Sequence, residues 1–181
     1  MSRGNIWRLV GWGLAVAVIL TPLVAMQLNA PGVNWTIGDF IFAGVLIGGV
    51  GGLFELAVRS SASWAYRGGV ALALAAAFLT IWINGAVGII GDEGGGANLV
   101  FHVVVLLAIT GAIVAGGKAR LMSRAMMVPA VAQLLIAIYV AATGIGANDP
   151  PGQPGLSFLI GGFGVIWLGS ALLFRHAAAQ Q

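Results

Sequence analysis

Six apolar stretches of about twenty residues follow one another along the chain, each long enough to cross ~30 Å of hydrocarbon. All eight Lys and Arg residues (Arg3, Arg8, Arg59, Arg67, Lys118, Arg120, Arg124 and Arg175) fall at alternate ends of these stretches. Asp39, Asp92, Glu93 and Asp149 fall at the opposite ends. Basic residues collect in short cytoplasmic loops, and random placement of eight charges would agree this well only about once in 128 trials. The pattern predicts an all-α polytopic membrane protein with both termini in the cytoplasm. The six spans are expected at about 6–28, 36–58, 66–90, 97–117, 123–144 and 156–174.

Composition supports the same placement. Of 181 residues, 60% are hydrophobic and 7% charged, whereas a soluble domain carries about a quarter charged residues. Little chain remains outside the spans, so a single transmembrane bundle over 1–181 is expected. A secretion signal would also begin with Arg3 and Arg8 ahead of an apolar run, but this run continues through Thr21-Pro22 to Gln27. It reads as an uncleaved helix. The pI near 10.2 would suggest nucleic acid in a soluble protein; here the cations set topology beside anionic lipid, and no nucleic-acid partner is expected. The absence of cysteine excludes disulfides, thiolate metal sites and cysteine nucleophiles.

The spans pair into three antiparallel hairpins with recurring landmarks. Arg8, Arg67 and Arg124 open the outward helices; Phe40, Phe101 and Phe158 come early in the returns; Arg59, Arg120 and Arg175 close them. The outer connections are rich in Gly, Pro and Asn and too polar to form a lid with its own core.

Helices in lipid associate by close packing and hydrogen bonds, because lipid tails are as apolar as Leu. The second span carries Gly44, Gly48 and Gly52 at four-residue spacing, and the fourth carries Ala108, Ala112 and Gly116. Both stripes are candidate packing faces. Gln133, near the midpoint of the fifth span, is expected to join helices by hydrogen bonding. Glu55 and Arg59, four residues apart, suggest a local ion pair. Trp7, Trp12, Trp35, Trp64 and Tyr66 lie where aromatic belt anchors belong.

The outer ends hold the candidate ligand-binding residues. Asn84 and His102 come at similar depth on the third and fourth spans, with Asp92 and Glu93 in the loop between them and Asn98 as the expected N-cap of the fourth. Asp39 opens the second span. Amides, an imidazole and carboxylates in one layer would suit a small molecule, a quinol headgroup or a cation such as Zn²⁺, whereas a single outer histidine does not suit a bis-histidine haem. The plainer expectation is that Asn84 and His102 bond each other or loop carbonyls and close the hairpin. No phosphate loop, nucleophile elbow or zincin motif is present, so no catalytic residue and no particular cofactor is expected.

Several of these segments resemble a group of small, uncharacterised polytopic bacterial inner-membrane proteins. They are Thr21-Pro-Leu-Val-Ala-Met-Gln27, Val33-Asn-Trp-Thr36 with Asp39-Phe40, and Asn84-Gly-Ala-Val-Gly-Ile-Ile-Gly91 leading to Glu93 and Asn98-Leu99. The resemblance runs from the first span through the fifth and implies lineage and inner-membrane topology, but no activity. Where that group has an Asn-Pro turn, this chain has Gly94-Gly95-Gly96. The expected function is that of a non-enzymatic accessory or assembly subunit, with the bilayer and other membrane chains or further copies of itself as partners. The alternative is a small transporter or ligand- or metal-binding protein using the outer polar residues.

Overall fold

The computed structural model describes residues 3–91, 95–147 and 151–180. Its helices are α1 (Arg3–Gln27), α2 (Ile37–Ser60), α3 (Trp64–Ala86), α4 (Leu99–Ala115), α5 (Ala119–Thr143) and α6 (Gly152–Ala179), with one 3₁₀ turn at Gly96–Asn98 ahead of α4. Among the described residues there is no strand. The fold is all-α, and its six helices are long and apolar enough to cross a membrane.

Several boundaries differ from the apolar pattern for physical reasons. α5 begins at Ala119 rather than near 123, because Arg120 and Arg124 favour helix even where they leave hydrocarbon. α6 continues to Ala179 through an Ala-rich tail of high helix propensity. α3 stops at Ala86 rather than near 90, for a reason that lies in Asn98 and is given below.

The chain forms two compact units, Met1–Leu56 and Ala57–Gln181. In the first, the sequence fixes the ends of its helices. α1 closes in a Schellman motif: Asn29 takes positive φ at 53°, its N–H donates to the Met26 carbonyl, and the Ala30 N–H donates to the Ala25 carbonyl. α2 opens in a capping box, in which the Thr36 N–H and hydroxyl both donate to Asp39 Oδ2 at 2.6 and 2.8 Å. Arg8 of α1 pairs with Glu55 of α2, and the Trp12 indole N–H donates to Glu55 Oε2 at 3.2 Å. Gly51 makes room for that indole, since a Cβ there would come within 3.0 Å of the Trp12 ring. Glu55 therefore has partners on another helix, which its i+4 spacing from Arg59 did not predict. Ala43 is the one buried residue among those described in this unit.

The second unit is a closed ring of four helices, in which α3 and α5 each contact both α4 and α6. Contacts between α6 and its neighbours run antiparallel. Gly69 and Leu72 of α3 meet Phe174 and Gly169, while Leu134 and Ala137 of α5 meet Gly164 and Gly161. Hydroxyls join the helices at the end that carries the cations: Ser170 donates to the Gly69 carbonyl at 2.7 Å, and Ser123 donates to the Ala171 carbonyl at 2.8 Å. Short connections suggest that α3 packs chiefly on α4, its neighbour in sequence; its larger partner is α6. Small residues explain the preference, because a Cβ added at Gly69 or Gly169 would come within 3.1 Å of Phe174 or Leu72, so these large side chains lie where only glycine leaves room.

The core of this unit consists of two hydrophobic clusters. One gathers Ala76, Ala108, Met126, Ala130, Trp167 and Phe174 toward the cationic end. The other gathers Ile89, Phe101, Ala137, Val140, Leu156 and Ile160 toward the opposite end. Of the expected packing residues, Ala108 belongs to the first cluster and Ala112 packs against it. Gly116 serves differently: at φ +54° it is the left-handed C-cap of α4.

Candidate functional site

The candidate residues on α3, α4 and the segment joining them are organised by Asn98. Its Oδ1 accepts from the Ile89 and Ile90 N–H groups at 3.0 and 2.9 Å, and its Nδ2 donates to the Ile90 carbonyl at 3.0 Å. One amide thus satisfies three main-chain groups that no helix serves. This clamp ends α3 early: Gly88 and Gly91 turn the chain at positive φ, Ile89 is pressed into the core, and the strand of backbone between them is tied to the start of α4. Asn98 occupies the N-cap position of α4 but makes no side-chain cap to it. Its amide is used instead on the preceding loop, which is a correction to the expected capping role.

His102 lies one turn further along α4, with Nδ1 3.2 Å from the Asn98 carbonyl oxygen, and its side chain is exposed. Asn84 is buried at 3% exposure, and its Nδ2 donates to the Thr80 carbonyl of its own helix at 2.8 Å. Among the described residues no hydrogen bond joins Asn84 to His102. Glu93 and Asp92 lie outside the described residues. Asp39 belongs to the first unit, where the capping box accounts for its carboxylate. Among the described residues no three His, Cys, Asp or Glu side chains gather as a metal site would require.

An apolar crevice of about 430 Å³ opens near the clamp, lined by Ile90, Val100, Leu135, Ile136, Tyr139 and Ile145. With no charged group in its wall, it suits hydrocarbon better than a polar substrate.

The sequence reading passed over one feature of the core. Gln133 is fully buried and Thr80, Asn84 and Trp167 almost so. Among the described residues, both polar atoms of the Gln133 amide lack a partner, as do Thr80 Oγ1, Asn84 Oδ1 and Trp167 Nε1. Gln133 was expected to bond across helices; it stands at the expected depth without that bond. The Thr80 hydroxyl makes no bond to a carbonyl of its own helix, the usual partner of a threonine in a helix. No spacing rule could have revealed this, because satisfaction depends on which side chains the neighbouring helices bring to that level.

The packing stripe of α2 is also distinct from that of α4. A Cβ built at Gly44, Gly48 or Gly52 meets no side chain of the unit to which they belong. No family model, curated protein or solved structure matches this chain.

Proposed function

We propose that the chain is a non-catalytic subunit of a larger assembly in the bacterial inner membrane, with both termini cytoplasmic, and that it joins its partners through the glycine-striped face of α2. The observation that carries this reading is the unfilled stripe. Gly44, Gly48 and Gly52 would let another helix approach closely, and α1 places nothing against them. The location of every described cation at one set of helix ends supports the orientation. The rival reading, a ligand site on Asn84, His102, Glu93, Asp39 and Asn98, draws less support, since Asn98 and Asp39 are committed to local backbone bonds.

The test is purification at native expression in mild detergent, followed by native mass spectrometry. Partner chains or further copies should co-elute with the natural sequence and be lost from Gly48→Leu, a change within Met1–Leu56. A monodisperse monomer from the natural sequence overturns the proposal, and so does unchanged co-elution with Gly48→Leu.

A further inference from the structure

The two hydrophobic clusters of the four-helix unit share Ile166 at their edges, and buried polar side chains of α3 and α5 lie where one cluster gives way to the other. On α3 the change from one cluster to the other falls between Ala76–Ala77 and Ile83, and on α5 between Ala130 and Ile136–Ala137. Thr80 occupies that interval on α3 and Gln133 occupies it on α5, at 1% and 0% exposure. On α6 the interval lies between Phe163 and Trp167 and contains Gly164, where an added Cβ would come within 2.8 Å of Leu134.

The antiparallel contacts give the register of the unpartnered groups. Leu72 meets Gly169, so stepping along both helices sets Thr80 level with Gly161 and Asn84 level with Ser157. Leu134 meets Gly164, which sets Gln133 level with Val165. Ser157 Oγ also lacks a partner among the described residues. Asn84 and Ser157, then Thr80, then Gln133, then Trp167 therefore follow one another over about ten residues of α6, or ~15 Å of helix. Gln133 is ~21 Å along a helix ~36 Å long, well inside the span.

Unmet hydrogen-bonding groups in hydrocarbon are costly, and such groups are normally satisfied within the membrane. Together the Gln133 amide, the Thr80 hydroxyl and the Trp167 indole offer both donors and acceptors. None of the groups in the series ionises near neutral pH, so there is no charge to hold an ion. At Gly164 even an added Cβ would come within 2.8 Å of Leu134, so α5 and α6 stand too close there for a bulky ligand.

We propose that the level between the two clusters is a hydrated site within the membrane span: water is its resident ligand, held by Gln133, Thr80 and Trp167, and it enters past Asn84 and Ser157. The site does not depend on the proposed subunit role. It gives the four-helix unit a property that an apolar core lacks, which is a water-accessible interior near mid-membrane.

Because the chain has no cysteine, a single thiol can report on this level with its polar groups intact. Val104 and Val105 are buried on α4 between Phe101 of one cluster and Ala108 of the other. The thiolate is the reactive form, and dry apolar surroundings suppress it. In proteoliposomes, Val104→Cys should react with the small permeant reagent methyl methanethiosulfonate at least about tenfold faster than Ala108→Cys or Ala171→Cys, which lie inside the cluster at the cationic end. Adding Gln133→Leu and Thr80→Val should bring that rate down to the cluster value. Equal rates at Val104 and the cluster positions overturn the proposal. A fast rate that survives the double substitution also overturns it, because the water would then be held by other groups. Should Val104→Cys not fold, Val105→Cys makes the same comparison.

Discussion

The two units are built from helices of comparable length and apolar character, yet they are held together in different ways. In Ala57–Gln181 four helices close a ring whose largest buried side chains, Trp167, Phe101 and Phe174, are at most 1% exposed. In Met1–Leu56 a single alanine is buried among the described residues, and the contact of α1 with α2 rests on Trp12 over Gly51 and on Glu55 held by Arg8 and Trp12. Apolar composition places a helix in the membrane but says little about what it packs against. In lipid, close packing must come from shape, and small residues with matched large ones supply it. The second unit has such matches within itself: Gly69 with Phe174, Gly164 with Leu134 and Gly169 with Leu72. The first has one such match, Trp12 on Gly51, and a stripe at Gly44, Gly48 and Gly52 that no side chain of α1 fills.

The contrast should be visible in stability. The largest effect is expected for Trp167→Ala, which removes the biggest side chain from a closed core and should cost about 3–5 kcal/mol. Thermal unfolding in detergent checks this, and a loss under 1 kcal/mol would mean that the ring is not the stable unit described. Asn98→Ala should cost about 2–3 kcal/mol, since it leaves the Ile89 and Ile90 N–H groups and the Ile90 carbonyl without their partner. Asn98→Asp should recover part of that loss, because it keeps the acceptor oxygen and gives up only the donor. Hydrogen exchange at Ile89 and Ile90 would locate the change.

Gly164→Ala and Gly48→Ala compare the units with one identical change. The first drives a methyl against Leu134 and should destabilise by about 1–3 kcal/mol. The second meets nothing in its own unit and should leave the melting temperature of the isolated chain unchanged. Equal effects would erase the distinction between a filled glycine face and an open one. The smallest expected effect is that of Glu55→Gln, about 0.2–1 kcal/mol, as for other exposed ion pairs. It should decline further with added salt. A loss comparable to that of Trp167→Ala would show that the ion pair, rather than packing, organises the molecule.

The all-α class, the six spans and most helix ends were legible because they follow from local rules. Apolar length marks a span; the Thr36-x-x-Asp39 pattern marks a start, and Asn29 is a residue type tolerated at a left-handed stop. The candidate site was legible only in part. Asn98 stood out as a polar residue at a helix start, but its real partners lie eight and nine residues back, on a loop whose path depends on where α3 stops. Glu55 had an obvious local partner in Arg59, whereas its contacts with Arg8 and Trp12 required a second helix alongside.

By itself the sequence determined how many helices form, about where most of them begin and end and which ends carry charge, because hydrogen bonding along a helix and the cost of burying charge in lipid act on neighbours in the chain. Only the tertiary structure decided that α3 packs chiefly on α6, that Asn98 clamps a loop, and that Thr80 and Gln133 are buried without partners where one apolar cluster gives way to the other. Those outcomes depend on the register between helices far apart in sequence, which is set by how their large and small side chains fit and not by any property of one helix alone.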